Sequence, residues 1–260
     1  MIIKTYKELE EYVDMFKKQN CDLLIIKSRG GLGKTSTLKR VMNDTDYVYV
    51  NTHSTPLQTF KTLYEKQDCP VVFDDIDAIF SSSILVSLLK ALADISPVKE
   101  LHYNTTSKLI GNVPSSFKTT SKVCILLNDM DAKKGSLAPL IDRGFYLEFE
   151  PSKEEVLNRI KELAKSQSIP DFEKCVLDFI EVNYKKIEDL SLRTYMKALQ
   201  LFRDNPKNWK ERFMKMIGFD EKAVEYLILK ERYKTDKERV EKFKWSRATF
   251  FRVKQEVEGE

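Results

Sequence analysis

Short apolar runs alternate with stretches of helical periodicity over residues 1–150. Five runs have the length and residue types of strands, at residues 23–26, 47–50, 71–73, 123–127 and 146–149. Helical patterns follow three of them, at residues 34–42, 57–65 and 83–93. Strands that alternate with helices are typical of a parallel sheet covered by helices. The pattern therefore predicts an α/β fold around a five-stranded parallel sheet.

The pattern changes after Pro151. The sequence from Ser152 to Glu155 has the form of a capping box, and the chain beyond it has helical periodicity with short breaks. The break at Asp204-Asn205-Pro206 is the best candidate for a further boundary. We therefore predict three domains: an α/β domain over 1–150, a helical lid over 151–204 and a third domain over 205–260.

An irregular segment at residues 96–120 separates the third and fourth predicted strands. It contains Gly111, Pro114 and several Ser and Thr residues, which is typical of a hairpin-like insertion. We expect its basic side chains to line the hairpin: Lys99, His102, Lys108, Lys118 and Lys122.

The first strand-to-helix turn has the composition of a phosphate-binding loop. Its residues are Ser28, Arg29, Gly30, Gly31, Leu32, Gly33, Lys34, Thr35 and Ser36. Glycines let backbone N–H groups approach phosphate oxygens, and the following helix adds its positive N-terminal dipole. Lys34 would reach the β- and γ-phosphates, and the Thr35 hydroxyl would help to hold Mg²⁺. The loop predicts binding of ATP or a close relative, although Ser28 stands where the usual pattern has glycine.

A pair of carboxylates, Asp74 and Asp75, follows the third predicted strand. A phosphate-binding loop needs such a group at the end of a neighbouring strand to position the metal and polarise water. We therefore expect Asp74 to hold Mg²⁺ and Asp75 to act as the base that orients the attacking water. An ordinary strand-to-helix turn with a helix-capping aspartate is the alternative interpretation.

With these motifs, residues 20–204 resemble the AAA+ ATPases. Asn128, at the end of the fourth predicted strand, matches the family's first sensor, which implies that it holds water against the γ-phosphate. Arg143, in the sequence Leu140-Ile141-Asp142-Arg143-Gly144, is similar to an arginine finger, which serves the ATP of a neighbouring subunit. The resemblance therefore implies a homo-oligomeric ring or filament. The alternative is that Arg143 caps a helix or pairs with Asp142 or Glu148.

Arg193 lies in the sequence Leu190–Lys197, which is similar to the second sensor of the AAA+ family. The resemblance implies that this arginine of the lid contacts the γ-phosphate. An exposed helical arginine is the alternative. A separate lid is similar to that of initiators, clamp loaders and helicase loaders, whereas the basic insertion is also similar to the superfamily-3 helicases of viruses.

The composition is that of a helix-rich globular protein. The 260 residues are 42% hydrophobic and 32% charged, with eight Gly and eight Pro, which argues against a disordered or fibrous chain. No run of about 18 uncharged apolar residues occurs, and the N-terminus lacks the layout of a signal peptide. The four cysteines are scattered singly, without zinc-site spacing. We therefore expect a cytoplasmic protein with no membrane segment.

Positive charge is concentrated towards the C-terminus. The formal net charge is +4, and residues 205–260 contain fifteen basic and eleven acidic residues, which accounts for the whole excess. Between Arg232 and Lys254 there are nine basic and three acidic residues. Such an excess favours a phosphate backbone as partner, although a solvated helix surface would have the same composition.

The same region has the pattern of a helix-turn-helix. Three helical pieces are predicted, at residues 222–233, 236–243 and 247–257, with Ser246 as the N-cap of the last. The second helix of such a motif enters the major groove. The expected DNA contacts are Arg247, Thr249, Arg252 and Lys254. The expected small core comprises Val240, Phe243, Trp245, Phe250 or Phe251, and Val253. A helical hairpin that packs on a partner protein remains the alternative.

These patterns lead to one prediction of function. We expect an oligomeric AAA+ ATPase that couples ATP binding and hydrolysis to remodelling of DNA or of a DNA-bound protein. Replication initiation or helicase loading is the favoured setting, with a helicase or another replication protein as partner. The alternatives are a superfamily-3-like helicase or transposition regulator, and a protein-remodelling chaperone.

Overall fold

A computed structural model describes residues 1–50, 54–74, 82–105, 107, 110–128, 140–166 and 170–259. Eight strands lie in these ranges: β1 (Ile2–Ile3), β2 (Leu23–Ser28), β3 (Val48–Val50), β4 (Val71–Asp74), β5 (Lys99–His102), β6 (Ser116–Thr119), β7 (Val123–Asn128) and β8 (Phe145–Phe149).

Six of the strands form one parallel sheet in the order β1-β8-β2-β7-β4-β3. The five predicted strands are all present, but the predicted count of five is wrong because β1 adds a sixth. β1 consists of Ile2 and Ile3 only, paired with Glu148 and Phe149. A two-residue strand is too short to show any periodicity. Its inner residue, Ile3, is nevertheless buried.

Among the described residues, four helices accompany the sheet in the first part of the chain: α1 (Tyr6–Lys17), α2 (Lys34–Val41), α3 (Pro56–Glu65) and α4 (Ser83–Leu92). α1 begins at a capping box in which Thr5 and Glu8 bond reciprocally to each other's backbone. Its apolar residues recur at helical spacing, so one face is buried. α3 and α4 bury leucine and phenylalanine side chains in the same core as the central strands.

The insertion forms the predicted hairpin. β5 and β6 pair antiparallel, with Leu101 opposite Phe117, and the Phe117 ring packs on that of Phe60 in α3. Lys99 lies in β5 of this hairpin, but its side chain points inward and does not line the hairpin as expected. This lysine is buried and donates to the Ser121 carbonyl oxygen at 2.8 Å. Burial lowers its pKa.

The second part of the chain is helical. Its elements are α5 (Lys153–Ser166), a 3₁₀ turn (Asp171–Glu173), α6 (Lys174–Asn183), α7 (Leu192–Asp204), α8 (Trp209–Met216), α9 (Glu221–Arg232), α10 (Asp236–Lys242) and α11 (Arg247–Glu258). The Ser152 hydroxyl caps α5 by accepting from the Glu155 N–H at 3.2 Å.

The last three helices enclose a small core of their own. Buried in it are Tyr226, Leu229, Phe243, Phe250, Val253 and Val257. Val240 and Trp245 pack against this core, as the sequence predicts. The sequence could not choose between Phe250 and Phe251. The structure buries Phe250, whereas Phe251 is 40% exposed.

By its internal contacts the chain forms two compact units, Met1–Glu155 and Val156–Glu260. The second unit contains the predicted third domain and all of the predicted lid except residues 151–155. Trp209, beyond the proposed boundary at 204, packs edge-on against Phe179 and Phe202, which precede it. The separation of a third domain at residue 205 stays a prediction. Within the described ranges, no helix has the length and apolar character needed to cross a membrane.

Candidate functional site

The predicted phosphate-binding loop joins β2 to α2. Gly31 and Gly33 both have φ of 83°, a conformation that L side chains rarely adopt, so glycine is required at both positions. Gly33 is the N-cap of α2 and provides no side-chain capping bond. The positive N-terminal end of α2 favours an anion at this position.

Lys34, the first residue of α2, lies buried beneath this loop. Its ammonium group donates to the Ser28 carbonyl oxygen at 2.8 Å, to Ser28 Oγ at 2.9 Å and to Asn128 Oδ1 at 3.2 Å. The serine that departs from the usual glycine is thus a hydrogen-bond partner of the loop lysine. The departure does not prevent the loop from forming.

Asn128 is placed by the register of the central strands. β7 lies between β2 and β4, and Asn128 is directly opposite Ser28. Because the carboxyl ends of these parallel strands share one edge of the sheet, its side chain reaches the loop lysine. The sensor role that the resemblance implies for Asn128 stays a prediction.

Asp74 ends β4 at the same edge and is buried. Its Oδ2 atom accepts a hydrogen bond from Thr35 Oγ1 at 2.9 Å and another from the Tyr49 hydroxyl. Thr35 and Asp74, which the sequence predicts as the metal pair, are therefore in direct contact. Hydroxyl and carboxylate oxygens suit Mg²⁺, which takes few protein ligands and completes its shell with phosphate and water. The residues present fit this ion.

The remaining loop residues surround this arrangement. Leu32 is buried, and its carbonyl oxygen accepts from the Tyr6 hydroxyl at 2.9 Å. Ser36 is exposed and donates to the Gly33 carbonyl oxygen. Arg29 and Gly30 are half-buried. Next to the loop lies a cleft of about 200 Å³, bounded by Leu32, Phe149 and Pro151 among others.

Two tyrosines that contact this site, Tyr6 and Tyr49, were not predicted from the sequence. Tyr6 follows Thr5 of the α1 capping box, and Tyr49 alternates with the buried residues Val48 and Val50 in β3. The alternation shows that Tyr49 points away from the core, but no motif connects it with Asp74.

The other predicted catalytic residues lie in other parts of the chain or outside the described residues. Asp75 lies outside the described residues. Arg143 Nη1 donates to the Lys90 carbonyl oxygen at 2.9 Å, in the last turn of α4, so here it caps a helix, as one alternative foresaw. Arg193 is exposed near the start of α7, in the second unit. The finger and second-sensor roles stay predictions.

The predicted DNA contacts all lie on α11, which Ser246 caps as expected. Arg247 and Arg252 are exposed. The Thr249 hydroxyl lies 2.9 Å from Ser246 Oγ. Lys254 donates to Asp236 at 2.7 Å, which holds the pKa of that carboxyl below its usual range. Lys254 thus ties α11 to α10.

The chain matches no protein-family profile and no curated protein. Its structure is similar to RuvB of Thermotoga maritima. A proline-to-glycine variant gives a TM-score of 0.50 at 13% identity, over 86% of this chain and 74% of that one. An alanine-to-serine variant gives 0.50 at 14%, over 86% and 73%. A Walker-type ATPase of Pyrococcus abyssi gives 0.44 at 12%, over 88% and 75%. The likeness to RuvB shows a shared fold, a parallel sheet accompanied by helices.

Proposed function

We propose that the protein is a Mg²⁺-dependent ATP hydrolase. The observation that carries this proposal is the convergence of Lys34, Thr35, Asp74 and Asn128 at one edge of the sheet, through the bonds Lys34–Asn128 and Thr35–Asp74. Lys34 and Asn128 are 94 residues apart in the sequence, and Thr35 and Asp74 are 39 residues apart. Such a cluster behind a glycine-rich loop at a helix N-terminus suits a triphosphate.

Each residue has a role in this proposal. Lys34 exchanges its bonds to Ser28 and Asn128 for β- and γ-phosphate oxygens, and the N–H groups of Gly31 to Lys34 surround the phosphates. Thr35 and Asp74 hold Mg²⁺, which offsets phosphate charge when bound. Asn128 orients the attacking water, and Asp75 is the candidate base that accepts its proton.

We further propose that ATP turnover serves DNA or a DNA-bound protein, in replication initiation or helicase loading. The supporting observation is the three-helix core of α9 to α11, with a short turn before the last helix and exposed Arg247 and Arg252 on it. This is the arrangement of a helix that could enter a major groove. The proposed assembly is a ring or filament in which Arg143 serves a neighbouring subunit.

ATPase activity measured without DNA, with single-stranded DNA and with duplex DNA tests both proposals. We expect turnover in the wild type and none in Lys34→Ala, because that substitution removes the cation expected to contact the phosphates. Lys18→Ala is the matched control, since Lys18 is an exposed lysine of the same unit paired with Asp14. Normal activity of Lys34→Ala would refute the ATPase proposal.

The measurements made with DNA distinguish the candidate functions. Duplex binding without strand separation supports the loader or initiator, whereas DNA-stimulated turnover with strand separation supports the helicase. Failure of the full chain to bind duplex at low salt would refute the action on DNA and would favour a protein-remodelling chaperone.

A further inference from the structure

Tyr49 lies in a closed cycle of contacts around the proposed metal carboxylate. Tyr49 pairs with Val72 across β3 and β4, so Asp74 lies two positions further along on the same face of the sheet. An aromatic side chain can span this diagonal. The Tyr49 hydroxyl donates to Asp74 Oδ2, which also accepts from Thr35 Oγ1. Lys39, one turn after Thr35 in α2, places its Nζ 4.6 Å from the centre of the Tyr49 ring.

We propose that Tyr49 is a positioning residue that orients Asp74 for the metal ion. The inference rests on the proposed ATPase function. Both hydroxyl donors that the structure describes at Asp74 bond to Oδ2, so Oδ1 is the oxygen directed to a metal ion or its water. Removal of the phenol hydroxyl leaves the carboxylate in place but frees it to rotate. Metal affinity falls, whereas binding of the nucleotide alone does not.

A Mg²⁺ titration of a fluorescent ATP analogue bound to the full chain tests this inference. We expect Tyr49→Phe to raise the Mg²⁺ concentration at half-saturation roughly tenfold, the effect of one hydrogen bond to a charged group. Affinity for the analogue in EDTA stays at the wild-type value. Tyr47→Phe, in the neighbouring ring 6.5 Å away, is the control and shifts neither quantity.

A midpoint that does not change in Tyr49→Phe, or that changes equally in Tyr47→Phe, overturns the inference. Lys39→Met is the second variant, because it keeps the side-chain length and removes the charge above the ring. This variant should raise the Mg²⁺ concentration at half-saturation by a smaller factor. If that concentration is unchanged in both Lys39→Met and Tyr49→Phe, the proposed cycle of contacts is contradicted. If the wild type binds no analogue in EDTA or in Mg²⁺, the proposed ATPase function itself fails.

A second observation concerns the outer face of α11. Phe251 is exposed on this face although its neighbour Phe250 fills the core. The Arg247 guanidinium carbon lies 5.8 Å from the centre of the Phe251 ring, and Ala248 and Arg252 are exposed beside it. The first eight residues of α11 contain no acid. The face therefore combines an apolar centre with cations.

We infer that Phe251 contacts thymine methyl groups in the major groove, an inference that rests on the proposed action on DNA. The 5-methyl group of thymine is the apolar feature of the major-groove floor, and phenylalanine and alanine are side chains that contact it. The flanking arginines supply the charge that a phosphate backbone attracts.

Binding of the full chain to poly(dA-dT) and to poly(dA-dU) duplexes tests this contact, because the two polymers differ only in the methyl group. We expect about fourfold tighter binding of the thymine polymer for each methyl that is buried. Phe251→Ala should bind both polymers equally. Phe172→Ala, which removes another exposed phenylalanine of the same unit, should keep the preference.

Equal wild-type affinity for the two polymers, or a preference that persists in Phe251→Ala, overturns the methyl contact and leaves DNA binding intact. Binding of neither polymer at low salt overturns the proposed action on DNA instead.

Discussion

The edge of the sheet around Lys34 and the outer face of α11 both carry predicted binding residues, but they hold them differently. At the sheet edge, side chains from β4, β7 and α2 contact one another across long stretches of sequence. On α11, all four predicted residues belong to one helix, and Thr249 and Lys254 bond to Ser246 and Asp236 nearby.

The difference affects how far each region supports a function. Buried polar groups are costly to maintain unless they are paired, so a polar cluster drawn from three elements indicates a site. Basic residues on one exposed helix follow from helical periodicity and solubility as well as from DNA binding. Geometry therefore strengthens the nucleotide site more than the DNA interface.

The largest expected effect concerns Arg143. If it acts as a finger in a neighbouring subunit, Arg143→Ala should lower ATPase activity about a thousandfold or more. Its bond to the Lys90 carbonyl oxygen should also be lost, at a cost of about 1 kcal/mol of unfolding free energy. Steady-state turnover and thermal unfolding of the same preparation measure the two effects.

Mixing Arg143→Ala with Lys34→Ala subunits distinguishes the two roles of Arg143. A finger that acts in trans predicts partial recovery of turnover, because some interfaces then combine an intact loop with an intact arginine. Near-normal activity of Arg143→Ala alone, accompanied only by the small loss of stability, would leave the helix cap as its function.

A substitution at Gly144 tests how closely the chain before β8 packs against β2. A Cβ atom on Gly144 would lie 2.3 Å from the Leu23 carbonyl oxygen and 2.5 Å from Leu23 Cβ, in β2. We expect Gly144→Ala to reduce the unfolding free energy by about 2–3 kcal/mol, because backbone must move. Chemical denaturation with and without nucleotide measures this loss.

Gly111→Ala is the control for Gly144→Ala. Gly111 has φ of +65° but nothing within 4 Å of the added Cβ, so only backbone strain of about 1 kcal/mol is expected. Equal losses in the two variants would contradict the steric explanation.

The sequence predicted the parts of the fold that follow from periodicity and caps. Five strands, the hairpin and the caps at Ser152 and Ser246 are confirmed. Strand β1 could not be predicted, because two residues show no periodicity. The burial of Lys99 could not be predicted either, because the sequence pattern does not show which face of the hairpin packs inward. The site was predicted through its loop motif, whereas Tyr6 and Tyr49 contact it only through tertiary packing.

A smaller effect on DNA binding should distinguish an exposed cation of α11 from one that is paired with a carboxylate. Arg247→Ala should weaken duplex binding about tenfold and reduce the salt dependence by about one ion, because Arg247 is exposed. Lys254→Ala should change the salt dependence less, since Lys254 is paired with Asp236, and should instead lower stability. Fluorescence anisotropy at several salt concentrations gives both slopes. Equal slopes for the two variants would mean that Lys254 leaves Asp236 to contact phosphate.

The smallest effect tests whether an ion pair in the second unit is structural. Arg203 donates to both oxygens of buried Glu173, at 2.6 and 2.8 Å. This bond lowers the pKa of Glu173 despite the opposing effect of burial. A lowered native pKa stabilises the fold above the unfolded value of 4.5 and loses that contribution as pH falls through the native pKa. At pH 7, Arg203→Ala should therefore lower the free energy of unfolding.

The difference in unfolding free energy between wild type and Arg203→Ala should become smaller below pH 4.5, because a protonated Glu173 carboxyl has no charge for the guanidinium to pair with. Urea denaturation at pH 7 and at acid pH measures it. Arg212→Ala is the control, since its partner Asp204 is exposed and an exposed pair contributes little at either pH. A gap that stays constant with pH would show that Arg203 acts through its packing on the helix rather than through the Glu173 charge.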